Sequence, residues 1–153
     1  MLLSPRVRAR VTALALTATA LLGTVATSGQ ASAETVGQRA VREAQTHNGK
    51  PYVYGAAGPS KFDCSGFTLY VWSRLGKRLP HNSSQQYSSS AVRHVAKSAR
   101  TAGDLIFMKN SSGRITHVGI YSSNDRFWVA PKSGDRVKLQ ALYSSNYVVA
   151  RLR

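Results

Sequence analysis

Residues 61–72 read Lys-Phe-Asp-Cys-Ser-Gly-Phe-Thr-Leu-Tyr-Val-Trp, and this stretch holds the only cysteine of the chain. After the cysteine, apolar residues recur at the spacing of one buried helix face, at Phe67, Tyr70, Val71 and Leu75. Gly76 follows them, and glycine readily adopts the left-handed conformation that ends many helices. The pattern therefore predicts a helix that begins at or just before Cys64 and ends at Gly76.

A cysteine at a helix start has a chemical consequence. The unpaired backbone N–H groups and the helix dipole at that end favour a negative charge. A thiol placed there is expected to ionise more easily, and the thiolate is the form that attacks electrophiles. Cys64 is therefore a candidate nucleophile. The alternative is a small buried apolar side chain, which is the usual role of a lone cysteine.

The N-terminal segment has the features of an export signal. Three arginines within residues 6–10 precede an uncharged run over residues 11–25, and Ala31-Ser32-Ala33 matches a small-x-small cleavage site. We predict a secretory signal peptide at residues 1–33 and one domain at residues 34–153. The alternative is an uncleaved anchor, although the run is short and rich in Ala and Thr. We expect a secreted, cell-wall-associated monomer without a stable membrane anchor.

The predicted mature chain is strongly basic. Removing the three arginines of the signal from the 21 basic residues leaves 18 against six acidic residues, a net charge of +12. The basic residues are scattered, and no basic motif is interleaved with aromatic residues, so we expect no nucleic-acid partner. The charge indicates anionic cell-wall polymers as partners, or else a merely solubilising surface.

Predicted helices precede predicted strands along the chain. Thr35 and Gln38 have the spacing of a capping box, and Asn82 with Gln85 caps a short polar helix. The serine-rich segment 88–100 is predicted to be polar surface. Strand patterns follow at residues 105–108, 114–121, 126–130, 136–139 and 147–152. This order predicts an α+β fold, with N-terminal helices packed on an antiparallel β-sheet.

A nucleophilic thiol needs a base, and the candidates are His47, His81, His94 and His117. Only His117 is predicted mid-strand among apolar neighbours, with Gly119 leaving space on the same face. The alternative for His117 is a satisfied core histidine. We assign His81 a structural or substrate-rim role. One cysteine and four dispersed histidines show no metal-ligand spacing, so we expect no metal or cofactor.

Several motifs in this order resemble the NlpC/P60 cysteine peptidases over nearly all of residues 36–152. The pair formed by residues 62–67 (FDCSGF) and residues 117–121 (HVGIY) is the most specific. The other matches are PYVYG at 51–55, Leu79-Pro80, GDLIF at 103–107, and Ala130-Pro131 with Gly134 and Val137. The resemblance implies a papain-like core that cleaves stem peptides of bacterial peptidoglycan, commonly at γ-D-glutamyl–diamino acid bonds.

The resemblance also implies roles for individual residues. Cys64 would be the nucleophile and His117 the base. Tyr52 would lie near the thiolate, and Asp63 and Ser65 would flank the cleft and contact the free amine or the backbone of the substrate. The oxyanion would be held by the backbone N–H of Cys64, with a tyrosine hydroxyl as a second donor.

The third catalytic position departs from the family pattern. The family places a polar residue, often His, directly before the Ala-Pro pair, where this chain has Val129. A hairpin loop at residues 122–124 would put Val129 opposite His117. A shift of one or two residues would present Trp128, Ala130 or Pro131, and none of these has a side chain that accepts a hydrogen bond from the imidazole. A backbone carbonyl, a water or a polar group such as Asn146 would then have to orient His117.

Three functions are consistent with these features. The first is a peptidoglycan endopeptidase, slower or differently supported than its relatives. The second is a non-catalytic or weakly active wall-binding module, motivated by Val129 and the positive charge. The third is an amidase or acyltransferase that uses the same Cys64–His117 pair.

Overall fold

The structure, a computed structural model, describes residues 32–153. Most of the predicted signal peptide lies outside this range. The helices are α1 (Val36–Gln45), α2 (Cys64–Arg74) and α3 (Ser83–Ser88), with a short 3₁₀ helix at Lys97–Ala99. The strands are β1 (Val92–Val95), β2 (Leu105–Lys109), β3 (Ile115–Tyr121), β4 (Arg126–Val129), β5 (Lys138–Ala141) and β6 (Tyr147–Leu152). None of the helices in the described part of the chain is long and apolar enough to span a bilayer.

The strands of residues 92–152 form one antiparallel sheet in the order β1-β6-β2-β3-β4-β5. The helices contribute to a large core cluster with one face of this sheet. A second cluster covers the other face and includes Ile106, Phe127 and Val149. The predicted α+β class, with N-terminal helices packed on an antiparallel sheet, is confirmed.

The helix starts follow their predicted chemistry. Thr35 and Gln38 form the complete capping box of α1, each side chain bonding the backbone N–H of the other. Asp63 is the N-cap of α2 and accepts a hydrogen bond from the Gly66 N–H, so Cys64 is the first helical residue. The helix stops before Gly76, which has a φ of +76°.

The segment 88–100 differs from its prediction. Val92–Val95 forms an edge strand that pairs with β6, and Val92 is buried. The polar composition of residues 88–100 shows no strand pattern, because an edge strand needs few apolar residues. In β3, a register shift opposite Met108 and Lys109 places Ile115 against the helix-side core with Val118 and Ile120. Strict alternation over residues 114–121 would put Ile115 on the same face as Gly119 and Tyr121, and the register shift instead puts it on the opposite face.

The β3–β4 hairpin has a different register from the predicted one. Ile120 pairs with Trp128 and Tyr121 with Phe127. Continuing this register puts Val129 opposite Gly119, not opposite His117. The connection is longer than three residues because Asn124 and Asp125 both adopt a left-handed backbone conformation, with φ values of 49° and 54°.

Candidate active site

Cys64 lies at the start of α2 and is partly buried. It lines an open groove of about 320 Å³. The walls come from the loop before α2, the start of α3 and the first residues of β3. The lining residues are Tyr52, Tyr54, Gly55, Asp63, Cys64, Ser65, His81, Asn82, Ser83 and Thr116. Three of the predicted site residues, Tyr52, Asp63 and Ser65, therefore share one groove with the sulfur.

The sulfur of Cys64 is in an environment that favours the neutral thiol. Burial raises the pKa of the Cys64 thiol, and the Asp63 carboxylate raises it further. The backbone N–H groups of Val118, Ser65 and Cys64 itself favour the thiolate and oppose this shift. The expectation of an easily ionised thiol was therefore wrong. The helix start does supply N–H groups, but burial and a neighbouring negative charge outweigh them.

Asp63 organises the groove. Its carboxylate accepts hydrogen bonds from the Gly55 N–H at 2.8 Å and the Gly66 N–H at 2.7 Å. The Nε2 atom of His81 lies 2.9 and 3.0 Å from its two oxygens, and the Ser65 hydroxyl donates at 3.3 Å. Asp63 is 7% exposed. This carboxylate therefore fixes the loop, the helix start and His81 together on one side of Cys64.

Close backbone packing brings the loop against the helix. The Asp63 N–H donates to the Ala56 carbonyl at 2.7 Å. A Cβ on Gly66 would lie 2.1 Å from the same carbonyl oxygen, so only glycine fits there. A predicted helix start implies a capping residue. The close approach of Gly66 to the Ala56 carbonyl depends instead on the fold of residues 55–57, which the sequence pattern does not predict.

The β3 strand reaches Cys64 through the residues that flank His117. Thr116 lines the groove, and the N–H of Val118 lies at the Cys64 sulfur. Burial lowers the pKa of His117 to about 4. Among residues 32–153, the His117 ring has no hydrogen-bond partner. His117 is half-buried and does not itself line the groove. An imidazole without an acceptor stays neutral above its lowered pKa, and a neutral ring can accept a proton.

Two tyrosines lie near the thiol. Burial raises the pKa of Tyr52, and negative charge at Cys64 and then at Asp63 adds to the shift. The pKa of Tyr143 is also raised, by partial desolvation and then by negative charge at Cys64, although Tyr143 is 61% exposed. Both hydroxyls therefore remain protonated donors at neutral pH. Tyr143 belongs to the β5–β6 connection, and its ring lies 6.2 Å from that of Phe127. No pattern in the sequence indicated that this connection influences Cys64.

The other histidines have different surroundings. His81 is at the groove rim, with 32% of its side chain exposed and Asp63 as its partner. His47 is buried, with its ring nitrogens 3.3 Å from Glu43 Oε1 and 2.9 Å from Lys50 Nζ. His94 stacks on the Tyr87 ring at 4.1 Å. The predicted rim position of His81 is consistent with this arrangement, whereas its bond to Asp63 was missed.

A buried glutamine joins α3 to α2. The side chain of Gln86 is fully buried, and its amide donates to the carbonyls of Ser65 and Pro80, each at 2.9 Å. It also accepts a 2.8 Å hydrogen bond from the Thr68 hydroxyl. Gln86 thereby fixes the segment that carries His81 against the cysteine helix.

The position predicted from the resemblance as the third catalytic one is apolar in its contacts as well as in its identity. Val129 is fully buried in the second core cluster, which also contains Tyr121 and Phe127. It lies diagonally from His117 across Gly119, where the Phe127 ring occupies the space beside the glycine. Asn146, a suggested substitute, donates its side-chain amide to the Lys109 and Asn110 carbonyls instead.

Comparison with known proteins agrees with this geometry. Residues 49–152 match the profile of the NlpC/P60 family. The probable endopeptidase p60 of Listeria grayi is 47% identical over 92 residues, which cover 60% of this chain and 17% of that protein. The murein DD-endopeptidase MepH of Escherichia coli is 30% identical over 136 residues, 84% of this chain and 50% of MepH. The chain therefore spans only a part of these curated relatives.

The fold is similar as well. The crystal structure of the NlpC/p60 domain of the peptidoglycan hydrolase SagA superimposes with a TM-score of 0.66 at 34% identity. The superposition covers 76% of this chain and 97% of the SagA chain. The profile match extends from Gly49, before the Tyr52 segment, through the cysteine helix and the whole sheet to Leu152. The resemblance stated from the motifs is thereby confirmed, and the chain belongs to the NlpC/P60 family.

Proposed function

We propose that this protein is a cysteine peptidase that hydrolyses peptide bonds in peptidoglycan stem peptides, of the γ-D-glutamyl–diamino acid type. The observation that carries the proposal is the position of Cys64, a partly buried thiol at a helix start in an open groove, with the β3 strand at its sulfur. Family membership supports it, as do relatives named as endopeptidases and as a peptidoglycan hydrolase.

The reaction follows from the protonation states. The thiol attacks the scissile carbonyl as its proton passes to the neutral His117 imidazole, and a C–S bond forms. The oxyanion is held by the Cys64 N–H, which has no intrahelical acceptor at the first helical position, and by a tyrosine hydroxyl of Tyr52 or Tyr143. The imidazolium then gives its proton to the leaving amine as the C–N bond breaks. Water, deprotonated by His117, hydrolyses the thioester and restores the thiol.

Removal of the sulfur tests the assignment. Wild-type protein incubated with peptidoglycan peptides should yield a product pair whose masses sum to substrate plus water. Cys64→Ala should yield none while keeping the circular dichroism spectrum and thermal midpoint of the wild type. Undiminished cleavage by this variant would refute the nucleophile, and products without added water would indicate acyl transfer to another amine instead.

A second function has its own supporting observation. His117 lacks an orienting partner among residues 32–153, and the domain carries a large excess of positive charge. A wall-binding module would pellet with purified cell walls whether or not Cys64 is present, and the wild type would release no peptide. Export is part of either proposal, and N-terminal sequencing of protein from culture medium should give a start at Glu34.

A further inference from the structure

The Cys64 groove continues along the crevice between α3 and β3. A second depression of about 590 Å³ adjoins it and is lined by Ser84, Tyr87, Gly113, Arg114, Ile115 and Thr116. Thr116 lines both depressions, and the neighbouring residues Ser83 and Ser84 line one each. Neither Asp63 nor His81 borders the second depression. The crevice therefore leads from the Cys64 thiol, past Thr116, to the second depression. Arg114 is the only positively charged residue among those that line this depression.

Arg114 has no internal carboxylate partner. Its side chain is exposed and makes no ion pair or hydrogen bond with any residue of 32–153. All six Asp and Glu side chains lie in this range and are in ion pairs with other residues. These pairs are Glu34–Arg42, Glu43 with His47 and Arg74, Asp63–His81, Asp104–Arg151, Asp125–Arg100 and Asp135–Lys138. The guanidinium is therefore available to an anion from outside the chain.

The main chain that carries Arg114 is held firmly. The side-chain oxygen of Asn110 accepts from the Ser112 N–H at 3.1 Å and the Arg114 N–H at 2.9 Å. The Asn110 N–H donates to the Arg114 carbonyl at 2.9 Å, and the Asn146 amide donates to the Asn110 carbonyl at 2.9 Å. A turn fixed in this way presents the side chain to the crevice without the cost of ordering a flexible loop.

We infer that Arg114 binds a carboxylate of the peptide substrate, on the side of the reacting bond away from Asp63. Arg114 lies two positions before Thr116, about 7 Å along an extended chain, so the carboxylate belongs to a residue next to the bond or one further along. A planar guanidinium binds a carboxylate through two parallel hydrogen bonds, which selects a free acid over its amide. This inference rests on the proposed function, because it takes the ligand to be a stem peptide.

Binding to the Cys64→Ala variant tests the inference without turnover. The probes are a γ-D-glutamyl–diamino acid stem peptide with free carboxylates and the same peptide with its diamino-acid carboxylate amidated, titrated by calorimetry. Adding Arg114→Ala should weaken binding of the acid form about fivefold and leave the amide form unchanged. Arg114→Lys should restore part of the loss, and about 1 M salt should remove the difference between the two peptides.

Arg39→Ala is the matched control, since Arg39 is an exposed arginine on α1 outside the crevice. Equal losses for both peptides, the same loss with Arg39→Ala, or no measurable binding of either peptide would overturn the inference. Turnover by the otherwise wild-type chain separates the two proposals. If that chain cleaves stem peptides and Arg114→Ala keeps the same preference for acid over amide, the role of Arg114 fails while the proposed function stands.

Discussion

In the proposed Cys64–His117 pair, we predict a neutral thiol and a neutral imidazole at rest, and not a thiolate–imidazolium ion pair. Burial, with Asp63, holds the pKa of Cys64 above its ordinary value of 9.0. Burial lowers the pKa of His117 to about 4. Both shifts disfavour the ion pair, because burial raises the free energy of the thiolate and of the imidazolium.

The size of the effect follows from these directions. A thiol whose pKa exceeds 9 is less than about 1% ionised at pH 7, and its thiolate fraction rises about tenfold for each pH unit below that pKa. An ion pair would instead hold the thiolate at a constant level between the pKa of the cysteine and that of the imidazolium. Between pH 6 and pH 8 the thiolate fraction of the neutral pair therefore rises about a hundredfold, whereas the thiolate fraction of an ion pair stays constant.

Alkylation by iodoacetamide measures this fraction directly, because Cys64 is the only cysteine and intact mass reports a single site. The rate constant of the folded chain should climb about tenfold per pH unit and show no plateau below pH 8. Divided by the rate constant of the urea-unfolded chain, whose thiol ionises near its ordinary pKa, it should stay level over the same range. His117→Gln should leave the shape of the profile unchanged, since the imidazole does not set the ionisation of the thiol. A plateau between pH 5 and pH 8 that disappears in His117→Gln would refute the reasoning. The same argument predicts that kcat/KM keeps its acid limb near pH 4.

Three further predictions concern the scaffold and the third position. Gln86→Leu removes the amide donor to the Ser65 and Pro80 carbonyls and the buried acceptor of the Thr68 hydroxyl, and it should lower the free energy of urea unfolding by about 2–4 kcal/mol. Gln85→Leu on the exposed side of the same helix should change it by less than about 0.5 kcal/mol, and equal effects would contradict the role of Gln86. Gly66→Ala forces a Cβ onto a backbone carbonyl and should destabilise by about 3 kcal/mol, so an unchanged midpoint would contradict the close packing. Val129→His should raise the pKa of His117 in NMR titration and raise kcat/KM about tenfold or more. The buried polar ring should lower the free energy of unfolding by about 1–3 kcal/mol. An unchanged His117 pKa would show that the two rings do not interact.

Local signals predicted the parts of the fold that depend on neighbours in sequence. The capping box of α1, the cysteine at the start of α2 and the left-handed Gly76 all arise within one or two helical turns. The strands β2 and β3 were predicted for the same reason, since their apolar composition indicates buried strands. These features needed no knowledge of what packs against them.

Tertiary context decided the rest. β1 was missed because an edge strand bonded to β6 needs little apolar surface. The β3–β4 register was wrong by two residues because Asp125, as well as Asn124, adopts the left-handed conformation. The sign of the Cys64 pKa shift was wrong because desolvation depends on the strand and loop that cover the sulfur, and sequence spacing carries no measure of that coverage.

The apolar residue at position 129 and the neutral state expected of His117 are physically compatible. An imidazolium at residue 117 would need an acceptor, and the position that the family pattern assigns to it is Val129, which packs with Phe127 in an apolar cluster. Burial lowers the pKa of His117, and an apolar residue at 129 supplies no acceptor that would offset this desolvation. A neutral imidazole is still a competent proton acceptor for a neutral thiol. Catalysis would then depend on proton transfer during attack, and the oxyanion donors at Cys64 would carry more of the stabilisation than in an enzyme that starts from an ion pair.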